Sequence, residues 1–509
     1  MHMHERLEGL LLVLAVGAIV AIAAKRVGVP YNVALVLVGL ALVLLDVLPQ
    51  TPLDPEIVLV AFLPVLVFEG ALFADAGHLG EMRGPILALA VPGVALSLVA
   101  TAGVSALALG LPFAAALLLG ALLSITDTVS VLLAFRGVRV PHRLAAIMEG
   151  ESLFNDGTAL VLVSLTASAV AGAAFDPVST ARSLVVAIAG GAAVGAAFAV
   201  VGGAVLRTTP DHLTAILASA VFVFGAALLA ERAHASPVIA VVVVGLALGR
   251  VARRSLAPSH VLALHGFWET AGFGLNVLIF LLVGMQIEAR MLIDEAASIG
   301  LSLVALHAGR AAAVYGCMAL VRLPGRERVP GAWQHVMVAG NIKGSLSMAA
   351  ALALPDGLPH RERILTIVFG VTFVTLVTQA LPFRWLLRAL GVALAAPDAA
   401  LERARATLVA ARRGQAELDE LLAAGLVSRK AHAERRAAFQ HQVIRAEAVL
   451  RAAPDSGGGA QVDLALLNAQ KAALLDGARR GVLDAGAAAE GAGEIDRRIV
   501  ELSGRQEGH

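Results

Sequence analysis

The chain has 509 residues, 58% of them hydrophobic and only 15% charged, with a formal net charge of +1 and a mean hydropathy of +0.83. A soluble domain carries about a quarter charged residues and rarely more than half apolar ones, so this composition excludes the ordinary soluble class. The near-neutral balance excludes a nucleic-acid partner. One cysteine, Cys317, leaves no intrachain disulfide and no cysteine-based metal site.

Apolar runs of about the 20 residues that a membrane helix needs recur as far as residue 390. They are read near 7–24, 31–48, 57–73, 85–109, 111–135, 144–170, 181–206, 212–230, 236–249, 264–287, 297–321, 332–354 and 363–390, about thirteen spans in all. The spans near 31–48 and 236–249 are short. The span near 7–24 is expected to be a retained helix rather than a signal peptide. Glu5 and Glu8 offset Arg6 before Leu10–Ala24, and Lys25-Arg26 follow it, the reverse of the usual charge order.

Two acidic positions fall in spans three and ten, Glu69 and Glu269, and read as groups that pair to hold helices together. In span five, Ser124-Ile125-Thr126-Asp127-Thr128 lies about nine residues from Arg136, near mid-depth. Clustered Ser, Thr and Asp compete for backbone hydrogen bonds, so a break in the helix is expected there. Span six is interrupted by Glu149-Gly150-Glu151-Ser152-Leu153-Phe154-Asn155-Asp156-Gly157. Asp156 stands 13 residues past Arg143, ~20 Å along a helix and near the bilayer midplane. Glu151 shares a helix face with Asn155, and Ser152 shares one with Asp156.

The later spans supply the opposite sign. Arg310 sits near the centre of span eleven, and Lys343 near that of span twelve within Gly340-Asn341-Ile342-Lys343-Gly344-Ser345. Flanking glycines permit unwinding around Lys343. Charges inside a membrane are functional candidates by default, at about 2.5–3.5 kcal/mol each on insertion scales. Broken helices at matching positions in two halves point to an inverted-repeat transporter with a midplane site. For Arg310, Lys343 and Glu151 a plain helix-to-helix pairing stays open beside a role in the site. His78, His142, His212 and His307 read as loop or packing residues rather than metal ligands.

Charge in the short loops sets the orientation. Alternate loops hold Lys25-Arg26, Arg83, Arg136 with Arg139 and Arg143, Arg207, Arg250 with Arg253 and Arg254, and Arg322 with Arg326 and Arg328. The opposite loops hold few basic residues (Arg182, Arg232, Arg290) and the acids Asp46, Asp54, Glu56 and Asp294, with Arg361 and Arg363 as the exception. The N-terminus is therefore expected outside and the C-terminus in the cytoplasm. Residues 1–390 form the membrane domain. Residues 391–509 form a helical cytoplasmic tail that serves regulation, an unidentified ligand or partner, or dimer contact. In it, Ala424-Gly425-Leu426-Val427-Ser428 and Arg480-Gly481-Val482-Leu483-Asp484 each pair a helix-stopping Gly with a following N-cap, across a linker at Asp455-Ser456-Gly457-Gly458-Gly459.

Glu151-Ser152-Leu153-Phe154-Asn155-Asp156-Gly157 resembles the signature of the NhaP antiporters, relatives of the eukaryotic NHE sodium/proton exchangers. Phe62 to Gly70, Phe267-Trp268-Glu269 with Leu275 to Phe280, Gly309-Arg310-Ala311 and Gly340 to Ser345 resemble further motifs of that family, over roughly residues 1–390. The resemblance implies an all-α homodimer of thirteen-helix protomers in a bacterial plasma membrane, each with a dimerisation part and a six-helix core. It implies exchange of H⁺ for Na⁺, or for K⁺ or Li⁺, serving pH and salt homeostasis. Asp156 would bind the cation, with Ser152 and Thr126 as oxygen ligands. Asn155 would steady the crossing of the broken spans, beside Asp127, and Glu151 would pair with the basic residue of span twelve. An Asn-Asp pair implies electroneutral one-for-one exchange. Two positions depart from the pattern: Thr128 stands where the family has proline, and Lys343 where it has arginine.

A carboxylate at this depth holds a proton or a dehydrated monovalent cation, but not both. With alternating exposure, that competition gives exchange without enzyme chemistry or a cofactor. A cation channel is the rival reading. An intramembrane hydrolase using Asp127 and Asp156 lacks a Gly-x-Gly-Asp motif.

Overall fold

The computed structural model describes residues 2–27, 29–45, 58–127, 131, 135, 138–173, 176–209, 211–286, 289–321, 328–380, 382–393, 399–452 and isolated positions between 470 and 498. Arg136, Arg322, Arg326, Asp46, Asp54, Glu56, Thr128, the linker at 455–459 and residues 480–483 lie outside the described residues. The chain divides into two compact units, Met1–Leu394 and Ala395–His509.

The regular elements of the first unit are helices. In order they are α1 (His2–Val27), α2 (Tyr31–Leu44), α3 (Leu63–Phe73), α4 (Ala76–Glu81), α5 (Arg83–Leu109), α6 (Phe113–Ser124), α7 (His142–Val170), α8 (Pro177–Thr208) and α9 (His212–Arg232). There follow α10 (Pro237–Ser255), α11 (Pro258–Gln286), α12 (Ala289–Asp294), α13 (Ala296–Leu320), α14 (Gly331–Ala339), α15 (Ser345–Leu352), α16 (Arg361–Ala380) and α17 (Phe383–Ala389). Among the described residues, seven helices (α5, α7, α8, α9, α11, α13 and α16) are long and apolar enough to cross a membrane. Three shorter apolar ones accompany them, Tyr31–Leu44, Val60–Phe73 and Phe113–Ser124.

Local chemistry sets many of the ends. Asp176 accepts from Ser179 N at 2.8 Å and Val178 N at 3.3 Å, with Pro177 at the first helical position of α8. Asp211 caps α9 and Ser236 caps α10 in the same way. Donation from the Ser179 and Val178 N–H groups holds the Asp176 carboxyl below its ordinary value. Three π-helical turns, Val58–Phe62, Leu89–Gly93 and Leu376–Ala380, interrupt or precede α3, α5 and α16. The second contains Pro92, which has no N–H to donate.

Basic residues expected in loops lie at helix ends, Lys25 and Arg26 in α1 and Arg207 in α8 among them. Arg250, Arg253 and Arg254, expected in a loop, lie in the last turns of α10. There the cations meet the negative end of the helix dipole. Arg253 also reaches across to the end of α3, donating to Leu72 O at 3.0 Å and Ala74 O at 2.9 Å.

Small residues let these helices approach closely. A Cβ at Gly309 would fall 2.7 Å from Ser97 O of α5, and one at Gly195 of α8 would fall 2.6 Å from Ala240 O of α10. Where lipid gives no hydrophobic drive between helices, backbone contact of this kind holds them together.

In the second unit, α18 (Ala399–Ala423) and α19 (Arg429–Ala452) form an antiparallel hairpin. Gly425 turns the chain at φ +74°, a conformation that other residues avoid, and Ser428 Oγ accepts from Ala431 N at 3.3 Å. Across the hairpin, Asp419 Oδ1 lies 2.7 Å from His432 Nε2 and 2.6 Å from Arg436 Nη1. The bond to His432 and the charge of Arg436 hold the Asp419 carboxyl below its ordinary value. A lowered carboxylate stabilises the fold above its unfolded value and stops doing so as pH falls through the folded one. Acidification below about pH 4 therefore loosens this hairpin. Hydrogen exchange over 399–452, corrected for intrinsic rates, accelerates modestly there in the wild type, and the pH-dependent step is absent in Asp419→Asn.

Candidate functional site

Two interruptions meet beside α7. Helix α6 stops at Ser124, whose hydroxyl turns back onto Gly120 O at 2.7 Å, and residues 125–127 are not helical. Helix α14 stops at Ala339, residues 341–344 are not helical, and α15 resumes at Ser345. The two irregular segments satisfy one another. Asp127 N donates to Ile342 O at 2.8 Å, and Ser347 Oγ donates to Ile125 O at 3.2 Å. A Cβ on Gly344 would lie 2.7 Å from that of Asp127, so only glycine permits this approach.

Lys343 is fully buried in the crossing. Its ammonium donates to Ile125 O at 3.0 Å and to Asn341 Oδ1 at 2.8 Å, and its own N–H donates to Thr375 Oγ1 at 3.1 Å. A free carbonyl at a helix break is costly in an apolar interior, and the ammonium supplies its donor. Asn32 Nδ2 lies 3.4 Å from Asp127 Oδ2.

From α7, Asn155 Nδ2 donates to Ser124 O at 3.1 Å and lies 3.3 Å from Thr126 Oγ1. The Thr126 and Ser152 hydroxyls are 3.0 Å apart, and Asp156 Oδ1 is 3.5 Å from Thr126 N. The structure thus brings Thr126, Asp127, Ser152, Asn155 and Asp156 together at the end of α6. Asp156 and Thr126 also line a cavity of about 1210 Å³, with Asp127, Glu69, Glu149, Glu269, Lys25 and Arg139.

The expected partner of Glu151 is corrected. Glu151 pairs with Arg310 of α13 rather than with Lys343: Arg310 Nη2 donates to Glu151 Oε2 at 2.8 Å, and Arg310 Nη1 meets Glu151 Oε1. Arg310 further donates to Met337 O, from Nε at 3.1 Å and Nη2 at 3.0 Å, and so serves an end carbonyl of α14 that the break leaves open. Geometry explains the choice. A guanidinium presents a fork that serves carboxylate and carbonyl at once, whereas the Lys343 ammonium is already taken up by Ile125 and Asn341.

Of the other sequence candidates, Glu69 faces Gly272, where a Cβ would overlap its carboxylate. Glu269 is exposed and also lines the cavity. His78 and His142 lie with ring centres 5.4 Å apart and planes tilted by 48°, and His307 Nδ1 lies 2.8 Å from Leu303 O. Sequence reasoning passed over Asn32, Asn341 and Glu149 as site residues. Glu149 alone had a usable signal, seven residues before Asp156 and so on the same helix face.

Residues 11–389 match the family described as sodium/hydrogen exchanger, transmembrane. This chain belongs to that family. The exchanger is 38% identical over 448 residues to the Na⁺/H⁺ antiporter NhaS2 of Synechocystis, covering 87% of this chain and 82% of the relative. It is 35% identical over 402 residues to the Na⁺/H⁺ antiporter NhaG of Bacillus atrophaeus, covering 75% of each. Its fold is similar to that of the sodium proton antiporter MjNhaP1 from Methanocaldococcus jannaschii, with a TM-score of 0.64 at 20% identity over 77% of this chain and 98% of the other. Family membership makes the chain a multi-pass membrane protein and a cation/proton antiporter, and it sets the channel reading aside.

Proposed function

We propose that the exchanger carries Na⁺ one way and H⁺ the other by competition for the Asp156 carboxylate, with alternating exposure of that group. The carrying observation is the meeting of Asp156, Thr126 and Ser152 at the break: Thr126 N donates to Asp156 Oδ1 at 3.5 Å, and the Thr126 and Ser152 hydroxyls are 3.0 Å apart. An all-oxygen set suits a hard cation, and one carboxylate cannot hold a cation and a proton together. Asn155 braces the end of α6 and Asp127 the crossing, while Lys343 replaces helix donors lost at the break. Thirteen spans in two inverted repeats, with spans five and twelve broken, fit this reading. So do one-for-one stoichiometry, a homodimer, a tail that regulates or stabilises that dimer, and a bacterial plasma membrane with the N-terminus outside. With that orientation the cavity carrying Lys25 and Arg139 opens to the cytoplasm.

A series of Na⁺, Li⁺ and K⁺ gradients against an imposed ΔpH in proteoliposomes tests the reading. Na⁺ dissipates ΔpH, with a bell-shaped dependence on pH. Acid keeps the cation off the site, and base removes the counter-proton. No cation response at any pH removes the proposal.

Lys343 adds an expectation of its own. Arginine stays protonated where a buried lysine can lose its proton, and a guanidinium presents a planar fork in place of the single-point contacts to Ile125 O and Asn341 Oδ1. Lys343→Arg therefore keeps exchange but shifts its pH profile. Superimposable profiles would show that the ammonium serves only the fold.

A further inference from the structure

Helix α7 turns one stripe of side chains to the cavity, Ala145, Glu149, Leu153 and Asp156. The intervals of four, four and three residues are those of a single helix face. Two of the four are carboxylates, separated by two turns, ~10 Å along the axis. Glu149 is the one nearer the N-terminus of α7 and the loop residue Arg139, which lines the same cavity. It also borders a small void of about 10 Å³ with Thr126, Asp127, Ser152 and Arg310. Glu149 thus lines both the broad cavity and the small void beside the crossing.

Its surroundings set it apart from the other glutamates nearby. Glu151 is committed to Arg310. Glu69 has a polar partner of its own, and Glu269 is exposed. Glu149 is half-buried and, among the described residues, makes neither a hydrogen bond nor an ion pair. The charges that act on it from neighbouring elements are Asp75, in the turn between α3 and α4, and Arg253 of α10. Arg253 is itself held by the Leu72 and Ala74 carbonyls. A half-buried carboxylate without a partner of its own presents its lone pairs to water or to a cation in the cavity.

We propose that Glu149 is an access carboxylate for the cavity-side path, holding the incoming monovalent cation one step before Asp156. A cation moving from water to Asp156 must lose its hydration shell, and an oxygen anion half-way replaces part of that shell. The role rests on the reading of Asp156 as the exchange site. It differs from that site in being sided: the carboxylate helps a cation that arrives through this cavity and does nothing for one that arrives from the opposite membrane face.

Sidedness supplies the test. ²²Na⁺/H⁺ exchange is measured with Glu149→Gln and Glu149→Asp in right-side-out and in everted membrane vesicles. Removing one charge near a partly hydrated ion raises KM for Na⁺ about fivefold from the cavity side only, with maximal rate kept. Glu149→Asp, which keeps the carboxylate, restores KM to within about twofold. An unchanged KM on both faces overturns the proposal, and so does an equal change on both, which would mark a structural role. Either result leaves the Asp156 reading standing, because that reading is decided by other measurements, exchange in Asp156→Asn and the cation response of the wild type.

Discussion

Asp156→Asn is expected to abolish exchange while leaving the protein folded. In proteoliposomes, cation-driven dissipation of ΔpH falls by about two orders of magnitude or more, to the rate of protein-free liposomes. The substitution keeps shape and the oxygen near Thr126 N, so the end of α6 is not disturbed. It removes the two properties that exchange needs, a negative charge to balance a dehydrated cation and an oxygen that takes up and releases a proton. The fold does not depend on that charge. Among the described residues Asp156 has no ion-pair partner within 4 Å, unlike Glu151, so the neutral amide leaves no orphaned cation behind. Thermal unfolding in detergent is therefore expected to be close to that of the wild type, and this separates loss of function from loss of structure. Retained ²²Na⁺/H⁺ exchange by the variant would remove Asp156 from the transport step.

The helices were legible because lipid forces the backbone to satisfy itself, which turns most of the apolar runs into helices, the runs near 111–135 and 332–354 being only partly helical. The candidate site was legible for the same reason in reverse. Polar groups such as Thr126, Ser152 and Asp156 are too costly at that depth to be incidental. Distance along a helix is a one-dimensional measure, however, and it put Arg310 and Lys343 at the same level. The choice between them as partner of Glu151 depends on rotation about the helix axes. That rotation follows from packing: Gly309 lies against Ser97 of α5, which sets the face of α13 carrying Arg310. No spacing rule contains that contact. The cavity was hidden for a similar reason, since its wall draws on residues as far apart as Lys25 and Arg384. The π-helical turns, such as Leu376–Ala380, left no mark in the apolar pattern because they add no polar residue.

The second large effect is on stability, and it comes from Arg310. The guanidinium is buried, pairs with a carboxylate that is only 3% exposed, and donates twice to Met337 O. Arg310→Ala leaves Glu151 as an unpaired buried charge and strips a helix end of its donor, for a loss of about 3–5 kcal/mol. SDS or thermal unfolding, followed by the fluorescence of buried Trp268, measures it. The same pair replaced on both sides by apolar groups of similar volume, Glu151→Leu with Arg310→Met, recovers most of the loss, since neither partner then remains charged. This cycle also decides which cation Glu151 answers to. If Lys343 were the partner, Lys343→Met would rescue Glu151→Leu and Arg310→Met would not. The bidentate geometry to Arg310 predicts the reverse. Lys343→Met instead exposes Ile125 O and Asn341 Oδ1 to an apolar neighbour and adds to the damage of Glu151→Leu. Independent losses for Glu151 and Arg310 would mean that the ion pair contributes nothing beyond its separate parts.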